Sequence, residues 1–174
     1  MSEREVLELF FKANSNFLRK NKKLIDIAVS ERCLCALLAH EINSLLEQTN
    51  CPYYCDVEYN KFADSKKKIY ERDITVDLIV HSRREQEIDN LLALEMKKIK
   101  NTDKGSFIEN RNRLVGLTTR KEYEYIVGIF YIIDSQNSKI IIEKYDKYSK
   151  DSINCNFTIS ELIDYEGVIE NFLK

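Results

Sequence analysis

Asp73-Ile-Thr-Val-Asp-Leu-Ile-Val-His81 and, after a polar interval, Leu91-Leu-Ala-Leu-Glu-Met-Lys-Lys98 decide how this chain is read. Both segments have strand character, and each holds charge where a buried strand should hold none. Ile74, Val76, Leu78 and Val80 alternate with Thr75, Asp77, Ile79 and His81, the period of two of a pleated strand. In the second segment Leu92, Leu94 and Met96 share one face, and Leu91, Ala93, Glu95 and Lys97 the other. The residues between, Ser82 to Asn90, are nearly all polar and suit an exposed hairpin connection. If His81 faces Leu91 across that hairpin, antiparallel pairing sets Asp77 opposite Glu95.

Two opposed carboxylates repel, and burial makes this worse. Lys97, on the same face as Glu95, supplies one positive charge, and a divalent cation would supply the remainder. An acid–acid–lysine cluster at a sheet edge is an arrangement suited to metal-dependent phosphodiester cleavage. The alternative is a salt bridge between Lys97 and one acid, with the other acid solvated. The triplet Glu-x-Lys is itself weak: with 18 Glu and 18 Lys in 174 residues, chance supplies about two. It occurs once, at Glu95. The signal is its setting inside an apolar strand that follows a second acid-bearing apolar strand; Asp64-Ser-Lys66, in a lysine-rich polar stretch, lacks that setting.

Asp77 followed by Glu95-Met-Lys97 resembles the signature of the PD-(D/E)XK nuclease superfamily, the restriction-endonuclease-like fold. The resemblance extends to a helix opening Ser30-Glu-Arg, the strand Asp56-Val-Glu-Tyr-Asn60 and the phrases Asp77-Leu-Ile-Val-His-Ser-Arg83 and Asn90-Leu-Leu-Ala-Leu-Glu-Met-Lys-Lys98. It continues through Arg113-Leu-Val-Gly-Leu-Thr118 and Tyr125-Ile-Val-Gly-Ile-Phe130. The proline of the motif name is Val76 here, a position that varies freely in the superfamily.

The resemblance implies an α/β fold with a mixed central sheet flanked by helices and the site at one sheet edge. It implies Mg²⁺ (or Mn²⁺) held by Asp77, Glu95 and the backbone carbonyl of Met96, with Lys97 positioning a water or stabilising the transition state. In such nucleases an acid near the start of the preceding helix often leans towards the metal, and Glu31 occupies that position; it could instead simply complement the helix N-terminus. The implied function is a metal-dependent nuclease acting on nucleic acid, DNA in the first instance. The rival readings are a catalytically idle nuclease-fold module that binds nucleic acid or protein, and an interaction protein that docks through its aromatic N-terminal helix. Cleaving both strands of a duplex would call for two sites, hence a homodimer.

Length and composition agree with one domain over 1–174. The resemblance implies a nuclease core over 30–133 within it, preceded by a helical extension to residue 29 and followed by a C-terminal strand and helix over 134–174. Hydrophobic residues make 44% and charged residues 32%, and four glycines with one proline favour regular elements. No apolar run reaches the ~18 residues of a membrane span, and Met-Ser-Glu-Arg-Glu is no signal peptide, so a cytoplasmic location is expected. A net charge of −2 weighs against a general nucleic-acid coat but leaves room for a local basic patch. Five cysteines, Cys33, Cys35, Cys51, Cys55 and Cys155, lack C-x-x-C spacing and read as reduced, mostly buried thiols rather than zinc ligands.

In chain order, residues 3–19 form an amphipathic helix that Asn21-Lys-Lys23 should end, with a short second helix over 24–28. Ser30 caps a helix over 31–47 whose stripe is Leu34, Leu37, Leu38, Ile42 and Leu45, with Glu41 at its edge. His40-Glu41 is not the start of an H-E-x-x-H zinc motif, because position 44 is Ser. Tyr53 to Phe62 is the first strand; its Glu58 could approach the metal or face solvent. Residues 63–71, with Lys66-Lys-Lys68, read as a solvated loop or a phosphate-contacting one. Lys98, Lys100, Lys104, Arg111 and Arg113 form the most basic stretch beside the site, and a helix over 103–117 could present them to a nucleic-acid backbone or leave them as surface charge. Tyr125 to Ile133 is a central strand covered on both faces, 139–144 another strand, and 159–173 a closing helix interrupted at Gly167.

Overall fold

A computed structural model describes residues 1–27, 29–62, 65–99, 104–148 and 152–173. The chain opens with two helices, α1 (Glu3–Asp26) and α2 (Glu31–Gln48). Strand β1 (Tyr54–Tyr59) leads into two miniature hairpins, β2 (Lys61–Phe62) with β3 (Ser65–Lys66) and β4 (Lys68–Ile69) with β5 (Arg72–Asp73). Strands β6 (Val76–His81) and β7 (Asn90–Lys98) follow, then α3 (Lys104–Thr119), β8 (Val127–Asp134), β9 (Lys139–Tyr145), β10 (Ile153–Thr158) and α4 (Ile159–Ile163). Two 3₁₀ turns, Tyr165–Gly167 and Ile169–Phe172, close the chain.

The architecture is α/β. A six-stranded sheet runs β1-β6-β7-β8-β9-β10, antiparallel throughout except between β7 and β8. That one parallel step requires a crossover, and α3 supplies it. Strand β8 lies inside the sheet, and both its faces are buried. Val127, Ile129, Tyr131 and Ile133 pack with α1, α2 and α4; Phe130 and Ile132 pack on the α3 side with Leu114 and Leu117. The run Tyr125–Ile133 is apolar at nearly every position for this reason.

α1 is one helix, not two. Asn21-Lys-Lys23 contains neither glycine nor proline, the Asn21 side chain donates to the Phe17 carbonyl, and Ile25 is buried beyond it. A capping box between Ser2 and Glu5 fixes its start. Phe10, Phe11 and Phe17 are wholly buried, so α1 is core rather than an aromatic docking face. Ser30 caps α2 as the sequence predicts. Glu41 is not an edge charge: it is buried, and Lys20 of α1 reaches both its oxygens at 2.8 and 2.9 Å. The C-terminal part holds two strands rather than one, and the long closing helix is instead α4 and the two 3₁₀ turns. Cys35 and Cys55 are buried, Cys33 is exposed, and none of the five cysteines is in a disulfide. Among the described residues no helix is long and apolar enough to cross a membrane.

Candidate functional site

The register of the sheet gathers the acids. Leu78 pairs with Leu94, Ile79 with Ala93 and Val80 with Leu92; one residue further sets Asp77 opposite Glu95. The pairing of His81 with Leu91 does not hold, because a bulge after Val80 brings His81 to Asn90. Leu91 therefore joins Leu92 and Leu94 in the core under α1 and α2 rather than facing the other way. On the far side of β6, Val57 pairs with Leu78 and Tyr59 with Val76, so Glu58 falls opposite Asp77. Glu58, Asp77 and Glu95 thus stand abreast on three neighbouring strands. Glu58 has φ 50°, a left-handed conformation that costs a non-glycine residue about 1–3 kcal/mol. Strain falls on the residue beside Asp77.

Asp77 Oδ2 accepts the Met96 N–H at 2.9 Å, just beyond the last paired residues of β6 and β7. Burial raises the Asp77 carboxyl pKa, against the pull of that N–H and of Lys97 and Arg113. Glu95 is 1% exposed, and Arg113 Nη1 of α3 lies 2.9 Å from each of its oxygens while also donating to the Thr75 carbonyl at 3.0 Å. Burial and the neighbouring Asp77 nevertheless push Glu95 up to about 8, further than Arg113 and Lys97 can pull it down. Two facing carboxylates of this kind ionise together only with added positive charge.

Glu31 sits at the first turn of α2 and reaches across to the end of β7. Its Oε2 accepts from Lys97 Nζ at 3.1 Å and its Oε1 from the Lys98 N–H at 2.9 Å. Burial disfavours the Lys97 charge, but the hydrogen bond to Glu31 and the charges of Glu31, Asp77 and Glu95 outweigh it, so its pKa is raised. Lys97 is therefore a fixed cation. Glu58 is held by Arg32 of α2. Glu31, Arg32, Cys35, Val57, Glu58 and Asp77 line one cavity of about 210 Å³.

The basic stretch is arranged differently from a plain surface patch. Arg113 is turned inward to Glu95 and Arg111 to Glu143, the latter at 2.6 and 2.9 Å, because each acid is nearly fully buried and needs a cation in contact. Lys98 Nζ donates to the Val29 carbonyl. Lys100 lies outside the described residues, and of Lys104 only its place at the start of α3 is described. The sequence reading missed the Arg113–Glu95 pair, and it left Glu58 undecided. A crossover helix necessarily packs over the strands it joins, so a cation on α3 facing the Glu95 strand was the available signal.

No family model, curated protein or solved structure matches the chain.

Proposed function

We propose that the chain is a divalent-metal-dependent phosphodiester hydrolase of the restriction-endonuclease-like class, acting on nucleic acid and in the first instance on DNA. One observation carries this reading. Of the four acids clustered here, Glu31, Glu58 and Glu95 each have a cation in contact, and among the described residues Asp77 has none. Its charge is half-buried on the wall of a cavity lined by two further carboxylates. Such a position is favourable for a hard cation.

As the side chains stand, no three carboxylate, imidazole or thiol groups among the described residues already form a metal cluster. The donor chemistry nonetheless fits Mg²⁺ or Mn²⁺. Asp77 would hold the ion, joined by Glu95 and by the Met96 carbonyl once the Glu95 carboxylate is shared with Arg113. A bound divalent cation would acidify an attacking water and neutralise the scissile phosphate. Lys97, kept charged and oriented by Glu31, stabilises the negative charge that develops on the phosphoryl oxygens. Arg113 fixes Glu95 and screens it from Asp77 before substrate arrives.

A second reading, a nuclease fold used as a binding module with an idle site, draws on Arg113, which engages both Glu95 oxygens. Incubation of end-labelled single- and double-stranded DNA and RNA with the protein and Mn²⁺ or Mg²⁺ separates the two. Cleavage by the wild type that Lys97→Ala abolishes supports the hydrolase. Binding without cleavage under every condition favours the module.

A further inference from the structure

The opposite end of β6 from Asp77 approaches a cation in a setting that the nuclease reading does not use. Lys67, between β3 and β4, is 2% exposed, so it is not part of a solvated loop. Its Nζ donates to Tyr125 Oη at 2.8 Å and lies 5.0 Å from that ring's centroid and 5.4 Å from those of Tyr59 and Tyr123. An ammonium has three N–H donors, and the phenol takes one. Among the described residues Lys67 forms no ion pair, although a buried charge is ordinarily paired.

Lys67 reaches the wall of a cavity of about 180 Å³ that Tyr59, Lys61, His81, Arg83, Arg84 and Asp89 also line. Asp89 is the acid of that wall, and it is engaged elsewhere. Its Oδ1 accepts from Ser82 Oγ at 2.6 Å and from the Arg84 N–H at 2.7 Å. These bonds brace a turn in which Arg83 and Arg84 both take left-handed φ, 55° and 70°. Asp56 is likewise occupied, 2.8 Å from the Arg83 guanidinium and 2.9 Å from His81 Nε2. Among the described residues neither Lys61 nor Lys67 of this wall forms an ion pair, so two cations stand here without a carboxylate in contact.

We propose that this cavity binds a tetrahedral oxyanion of the phosphate class, with Lys67 as the buried anchor and Lys61 at the rim. Three arguments fix the ligand class. Two cations without a carboxylate in contact suit an anion. The free ammonium donors suit an oxygen-rich acceptor. The volume has room for about six waters, enough for one phosphate group with some hydration and too little for a whole nucleotide. The occupant is therefore free phosphate or the terminal phosphate of a strand. Burial draws the Lys67 pKa down to about 8, and an oxyanion in contact would favour its charged form. The proposal needs no metal and stands or falls apart from the nuclease reading.

The test is titration calorimetry of the full chain with sodium phosphate in the presence of EDTA, using wild type, Lys67→Met and Lys61→Ala. A parallel anisotropy titration uses one DNA oligonucleotide carrying either a 5′-phosphate or a 5′-hydroxyl. Saturable phosphate binding is expected, weakened about ten- to a hundredfold in Lys67→Met and less in Lys61→Ala. A preference for the 5′-phosphorylated strand that Lys67→Met removes identifies a strand end as the occupant. Equal affinity for both strands, with phosphate binding retained, identifies free phosphate. Absence of saturable phosphate binding in the folded wild type overturns the proposal, as does wild-type affinity in both variants. Lys61→Ala, at an exposed position, keeps the test valid if Lys67→Met does not fold.

Discussion

Replacing Lys67 by Met should change how the stability of this protein depends on pH. Burial lowers the Lys67 pKa from 10.5 to about 8, which disfavours its charged form in the folded state by about 3 kcal/mol. The sign follows from linkage. Between these two values the unfolded chain binds more protons than the folded one, so stability rises with pH through that window. Integrated from about pH 7 to about pH 9.5, the gain from this one group is about 2 kcal/mol. The Cys35 and Cys55 thiols, both pushed up by burial, act in the opposite sense above their ordinary value. They are common to both proteins and cancel in the difference. The variant loses the hydrogen bond to Tyr125 and the contacts with three rings, about 1–3 kcal/mol in all, and escapes the desolvation cost. At neutral pH it should therefore lie within about 2 kcal/mol of wild type. Urea unfolding of both proteins at the two pH values, with equal m-values required, gives the answer. The stability difference should shift by about 2 kcal/mol in favour of wild type at the higher pH. Parallel profiles would refute the claim that Lys67 is a buried ammonium.

Three further outcomes follow from the same reasoning. Arg113→Met leaves Glu95 buried without its cation and should destabilise the fold by about 3 kcal/mol; the loss should deepen as pH rises through about 8, where Glu95 ionises, and Glu95→Gln in the same background should recover part of it in thermal melts. Asp77→Asn should stabilise the metal-free protein by about 1 kcal/mol at neutral pH, because a carboxyl whose folded pKa is raised stabilises only while protonated and loses that contribution as pH rises; a lower melting temperature in EDTA would contradict this. Phe10→Ala should cost about 3–5 kcal/mol, since Phe10 is fully buried against Phe11 and Tyr131; a surface-like loss on denaturant unfolding would mean that α1 is not core.

The strongest local signals in the sequence describe the centre of the sheet. The apolar run ending at Ile133 had to be an interior strand, and antiparallel pairing about the connection set Asp77 level with Glu95, although the His81–Leu91 pair on which that expectation rests is displaced by the bulge. Elsewhere local pattern and tertiary setting part company. β10 gives no strand signal in the sequence because Ile153-Asn-Cys-Asn-Phe-Thr158 is a short, half-exposed edge strand, rich in polar residues. Asn21-Lys-Lys23 looked like a break, yet polarity alone does not end a helix whose next turn buries Ile25. The bulge after Val80 leaves no mark in either strand's composition, so simple alternation puts Leu91 on the wrong face. Lys67 cannot be told from Lys66 or Lys68 locally; the three tyrosines that enclose it come from β1 and from the segment before β8. At the site, the acids and Lys97 were legible because their charge conflicts with strand burial. Arg113 was not, since its partner lies across a helix–sheet contact.

The central claim rests on Asp77, the acid of the cluster with no cation in contact among the described residues, and the most direct measurement is calorimetric titration of Mg²⁺ or Mn²⁺ into wild type and Asp77→Ala. The account predicts saturable binding to the wild type and its loss in a variant that retains the wild-type fold by circular dichroism. Equal binding by both proteins, or none by the wild type even with DNA or RNA present, would contradict it.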